Sequence, residues 1–239
     1  MINLNGYFYN MKLLKGTVLS FTNNPFLVDI NDSINLIESG GVLVDGSFIK
    51  NVGEFSKLKY NFPRAKVYDY GKNLIISGFV DCHMHYPQTP IIASYGKRLI
   101  DWLNDYTFPE EKKFIDINYA RKIASLTLDL CIKNGTTTLA SFCTTSSNSV
   151  DAFFEEAQKR NMSVIAGKTC MDRNAPKYLI DSAKSSYDDS KKLIKKWHNN
   201  NRLYYAITPR FAPTSSPEQL YSLGSLWSEY PDCLMQTHL

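Results

Sequence analysis

Apolar and polar positions follow two rhythms along this chain, and the change falls near residue 72. Before it, apolar residues come in short runs rich in β-branched side chains, such as residues 16–21 and 41–46, bounded by glycine or asparagine. Such runs predict the strands of a small sheet. Asp45-Gly46 ahead of Ser47-Phe48-Ile49 predicts a tight turn, because glycine accepts the positive φ that hairpin turns need. After it, Leu74-Ile75-Ile76-Ser77-Gly78-Phe79-Val80-Asp81 is almost continuously apolar and predicts a strand buried on both faces. Ala120, Ile123, Ala124, Leu128 and Cys131 recur at three- and four-residue spacing, predicting a helix over residues 118–134 that stops at Asn134-Gly135.

The same reading predicts strands near 137–142, 163–168, 203–208 and 233–237, with helices near 150–160 and 190–198. A last helix opens at Ser216: the serine caps, Pro217 takes the first helical position, and Gln219 completes a capping box. Strands alternating with helices at this spacing mean a parallel sheet of βαβ units. The chain thus divides into a small β domain (residues 1–72) and an α/β domain (73–239). Five strands suit a doubly wound sheet or the first part of a (β/α)8 barrel, and periodicity alone does not choose between them.

Composition narrows the class of protein. The 239 residues are 44% apolar and 21% charged, an ordinary globular balance that argues against a disordered or fibrous chain. A formal charge of +4, spread along the chain, is no nucleic-acid footprint. Five cysteines form an odd set with no Cys-x-x-Cys pair, which argues against a disulfide scaffold or a zinc knuckle. The opening MINLNGYFYN lacks a basic segment followed by an apolar one, and no apolar stretch approaches the ~20 residues that span a bilayer. The expectation is a cytoplasmic protein with no membrane segment.

Candidate chemistry begins at His83-Met84-His85, directly after the first buried strand. Residues two apart in an extended chain point the same way, so both imidazoles can reach one ion. His238, at the end of the fifth strand, occupies the equivalent place. Three imidazoles suit a catalytic zinc or iron(II) ion. His198, closing a lysine-rich helix, is expected to face solvent, and Cys82 to point away from His83 and be buried. The chain has neither the His-x-Glu nor the Pro-Cys-x-x-Cys signature of cytidine-deaminase-like zinc enzymes.

Residues 77–85 resemble the metal-binding strand of the amidohydrolase superfamily, and their surroundings are similar to its guanine deaminase family. The similarity is carried by His85-Tyr86-Pro87-Gln88, residues 99–110, Asn134-Gly135-Thr136-Thr137-Thr138 and residues 149–154. It continues through Gly167-Lys168, Met171-Asp172-Arg173-Asn174-Ala175-Pro176, residues 208–215 and Gln236-Thr237-His238-Leu239.

This resemblance implies an α/β fold, a (β/α)8 TIM-type barrel cut after its fifth strand, with a small N-terminal β-sandwich domain. It implies one zinc ion, iron(II) being the alternative, on His83, His85 and His238. The substrate-binding set it implies is His85, Gln88, Arg210, Phe211 and His238. The reaction implied is hydrolysis of guanine to xanthine and ammonia, by a homodimer. The family pattern places its acid–base glutamate and aspartate after the Thr-His-Leu segment, hence beyond Leu239. Arg210 offers donors only, which would reward guanine O6, and Gln88 offers a donor and an acceptor to a purine edge. Trp102, Tyr106 and Phe108 fall in the long connection after the first strand and are expected to shape a lid or a dimer contact rather than the site itself. The alternatives are an aminohydrolase of another purine or triazine ring, and a non-catalytic interaction module.

Overall fold

The computed structural model describes residues 11–239. The part of the β-rich expectation that falls on residues 1–10 lies outside them. The chain forms two compact units, divided between Ser77 and Gly78.

In the first unit, β1 (Met11–Phe21) leads through the single-turn helix α1 (Ile30–Ser33) to β2 (Ile34–Asp45), β3 (Phe48–Glu54), α2 (Phe55–Asn61) and β4 (Lys66–Ile75). The strands form one mixed sheet in the order β3-β2-β1-β4. The β2–β3 hairpin turns as expected, with Gly46 at φ +58°. Leu13, Leu43, Leu58 and Ala65 make a small core under α2. A sandwich needs a second sheet facing the first, and among the described residues this unit holds a single sheet.

The second unit runs β5 (Phe79–His85), α3 (Leu99–Trp102), a π-helical turn, α4 (Phe108–Lys112), α5 (Ile117–Lys133), β6 (Thr136–Phe142), α6 (Ser147–Lys159), β7 (Ser163–Gly167) and the short β8 (Thr169–Cys170). It continues with α7 (Ala183–Trp197), β9 (Leu203–Pro209), α8 (Pro217–Glu229) and β10 (Leu234–Met235). Its sheet is parallel, and its strands neighbour one another in chain order, β5-β6-β7-β9-β10. A doubly wound sheet reverses its order at a switch point, whereas consecutive order is that of a barrel wall. Each crossover helix lays an apolar stripe on the sheet: Leu128 of α5, Phe153 and Phe154 of α6 and Leu193 of α7 are buried with Leu139, Val164, Tyr205 and Ile207. Each such side chain contributes about 1.5–3 kcal/mol of burial.

Tertiary pairing moved several expected boundaries. The apolar run 74–81 is two strand ends, because Leu74 and Ile75 pair with β1 while β5 starts at Phe79 against β6. Phe79 and Val80 are exposed, since β5 is an edge strand among the described residues. Helix α7 begins seven residues earlier than its apolar face suggests, because Ser182 and Ser185 form a capping box. Ser216 caps α8 as expected, accepting from the Gln219 N–H, but the box is not reciprocal. The Gln219 amide donates instead to Ser186, and the Ser216 N–H donates to Asp172. Gly167 is required by close approach, since a Cβ there would lie 1.7 Å from the Ala206 carbonyl oxygen. No helix among the described residues is long and apolar enough to cross a membrane.

Candidate functional site

The histidines expected to act together do converge, at the carboxyl ends of β5 and β10, where parallel sheets keep their sites. His83, His85 and His238 each offer a ring nitrogen, all within 4.8 Å of one another. The Nε2 atoms of His85 and His238 are 3.0 Å apart. Two ligands of one tetrahedral zinc stand about 3.3 Å apart, so the spacing suits a shared ion.

The tautomer of His238 suits it as well. Its backbone N–H donates to the Arg210 carbonyl at 3.0 Å, and its Nδ1 lies 2.8 Å from the same oxygen. A carbonyl only accepts, so Nδ1 carries the proton and Nε2 keeps its lone pair for a metal. Burial, then the charges of Arg210 and the other histidines, lowers the His85 pKa from 6.5 to about 2. Burial also lowers that of His238. Imidazoles held neutral are imidazoles ready to ligate.

Beneath the three rings lies Phe142, the last residue of β6, only 1% exposed. Its ring centroid is 4.7 Å from His85, 4.4 Å from His238 and 5.4 Å from His83. Gln236 fastens β10 beside it by donating to the Ser141 carbonyl and to Thr208 Oγ1.

A cleft of about 470 Å³ opens over this floor, a size usual for small-molecule sites. His83, His85, Gln88, Arg210, Phe211 and His238 line it, so every residue expected in the site from the sequence reaches it. Leu99, Trp102 and Leu103 add an apolar wall. Trp102 thus belongs to the cleft rather than outside it, and the ring of Phe108 lies 5.6 Å from the Arg210 guanidinium. Glu111 is the residue sequence reasoning missed. Fully buried, its Oε2 pairs with Arg210 Nη1 at 2.8 Å, and its Oε1 accepts from Gln88 Nε2 at 3.4 Å. Its neighbourhood was legible as a motif, but nothing in the spacing singled out this carboxylate.

Two expectations are corrected. Cys82 is exposed rather than buried, on β5, which is an edge strand among the described residues. His198 is not solvent-facing: its side chain is 7% exposed, with Nε2 3.1 Å from Asp232 Oδ2, and Nδ1 accepts the Tyr205 backbone N–H.

Comparison with known proteins agrees with this geometry. The amidohydrolase family model matches residues 74–239. Guanine deaminase of Escherichia coli K12 is 46% identical over 97% of this chain and 53% of its own length, and its structure superposes with a TM-score of 0.90. The structure of guanine deaminase from Bradyrhizobium japonicum matches at 38% identity and TM-score 0.92, covering 96% of this chain and 50% of that one. That of C. acetobutylicum guanine deaminase, with guanine bound in its active site, matches at 32% identity and TM-score 0.83 over 96% and 53% of the two chains. The chain spans about half the length of the curated relatives it matches. It is a member of the amidohydrolase family.

Proposed function

We propose that the whole protein hydrolyses guanine to xanthine and ammonia with a metal ion held by His83, His85 and His238. The observation that carries this reading is the meeting of three imidazoles, their ring nitrogens within 4.8 Å of one another, with a cleft that offers Gln88 and Arg210 to a flat polar ring. Zinc suits the three-nitrogen set, with iron(II) as the alternative. When bound, such an ion lowers the pKa of water to ~7 and supplies hydroxide at neutral pH.

The chain's own residues bind and orient. Arg210 donates to the purine carbonyl O6, where adenine would present an amine and leave the donors not held by Glu111 without an acceptor. A site that discriminates by such a missing partner can reject the wrong base by ~10⁴ or more. Leu99, Trp102 and Leu103 offer the ring an apolar wall, and Phe211 lines the cleft with His238. Glu111 is committed to Arg210 and Gln88. We therefore assign proton transfer to the leaving amine to the carboxylates that follow the Thr-His-Leu segment in the family pattern. The reading includes a homodimer in the cytoplasm, to be checked by sedimentation and cell fractionation.

The test is ammonia release by the full-length, metal-loaded protein from guanine, beside a panel of other purines and triazines. Turnover of guanine above the panel is the expected result. Robust turnover of another ring with none of guanine would overturn it.

A further inference from the structure

We infer that Glu111 is a positioning residue that sets which hydrogen-bonding face Gln88 and Arg210 turn to the substrate; this rests on the deaminase reading above. A side-chain amide can present either its oxygen or its nitrogen, and a glutamine alone in a cleft reads donors and acceptors alike. Glu111 removes that freedom. A carboxylate paired with arginine has acceptors only, so the Gln88 nitrogen must turn toward Oε1, as the 3.4 Å contact shows. The Gln88 oxygen is then directed away from Glu111, as an acceptor for a ring N–H. On the same carboxylate, Oε2 holds Arg210 Nη1 at 2.8 Å. The rest of the guanidinium fork has no other hydrogen-bond partner among the described residues and serves as donor.

Because both groups hang on one carboxylate, the acceptor and the donors stand side by side. The matching ligand edge carries an N–H beside a C=O, a ring lactam such as N1–H and O6 of guanine. An aminopyrimidine edge, with ring nitrogen and amine reversed, meets donor with donor and acceptor with acceptor. Burial gives the arrangement its force: Glu111 is 1% exposed and Arg210 4%, so water does not compensate a wrong partner. The pair is further held by the Phe108 ring against the guanidinium. The selectivity is thereby set by a residue that need not touch the ligand.

The test uses the full-length, metal-loaded protein and two purines that lack the 2-amino group. Hypoxanthine keeps N1–H and O6, and unsubstituted purine lacks both. Their dissociation constants are measured by titration calorimetry for wild type, Glu111→Gln and Glu111→Asp, with guanine kcat and KM alongside. One or two lost buried partners correspond to about 10- to 100-fold in affinity. Glu111→Gln is expected to reduce the hypoxanthine-over-purine preference by about that factor, raising guanine KM more than it lowers kcat. Glu111→Asp, which keeps the charge and shortens the reach to Gln88, should fall between the two.

If Arg210 left without a counter-ion unfolds Glu111→Gln, the aspartate variant carries the test: its preference should fall while its thermal midpoint holds. An unchanged preference in a folded variant, or equal weakening of both purines, would overturn the positioning role. Absence of guanine turnover in the wild type would instead overturn the deaminase reading.

Discussion

The second unit holds two clusters that satisfy the same crude criterion for metal binding: His83, His85 and His238, and His198, Asp232 and Cys233. They differ in the direction of one hydrogen bond. At the first, His238 Nδ1 donates to the Arg210 carbonyl, so its Nε2 lone pair faces the other imidazoles. At the second, His198 Nδ1 accepts the Tyr205 N–H, so a neutral ring must carry its proton on Nε2, where it meets Asp232. That nitrogen cannot ligate without giving up its proton. Burial also raises the Cys233 thiol to about 11, away from the thiolate a metal needs. Proximity of ligand-type atoms is therefore not sufficient for a site. The backbone group behind each ring decides which nitrogen is available.

Removing a ligand should break this contrast most. His238→Ala is expected to weaken metal binding by more than the ~100-fold that follows loss of a supporting hydrogen bond to a ligand. Metal content by plasma spectrometry after dialysis checks it, and full occupancy would show that the first cluster is not the site. Phe142→Ala removes the floor under all three rings and should cost about 3–5 kcal/mol of stability, read by denaturant unfolding.

His198→Ala sharpens the comparison from the other side. It strands the Tyr205 N–H and should cost about 1–3 kcal/mol while leaving metal content unchanged. A fall in bound metal would return the second cluster to candidacy. Asp232→Asn should have the smallest effect, since that carboxylate is exposed. The Asp232 carboxyl is held below its usual 3.8, chiefly by its own backbone N–H and then by His198. A lowered folded pKa means stability present above the unfolded value and lost as pH falls through the folded one. The difference between wild type and Asp232→Asn should thus persist at neutral pH and vanish in acid below 3.8. A difference growing toward acid would reverse the assignment.

The histidine cluster was legible because its logic is local. His83 and His85 are two apart on one strand, and His238 follows three residues after β10 of the same parallel sheet. Glu111 was not, because its partners lie 23 and 99 residues away and only packing brings them to one carboxylate. The Leu74–Asp81 run misled for a related reason: apolar character marks a strand but not its partner, and here Leu74 and Phe79 pair in different sheets.

Periodicity, turn chemistry and caps are properties of neighbours along the chain, and they were enough to place the alternating strands and helices and the three histidines. Which ring nitrogen carries a proton, which way the Gln88 amide turns and which histidine is shielded from water depend on groups distant in sequence. Those choices follow from the need of each buried polar atom for a partner, and only the assembled fold supplies the partners.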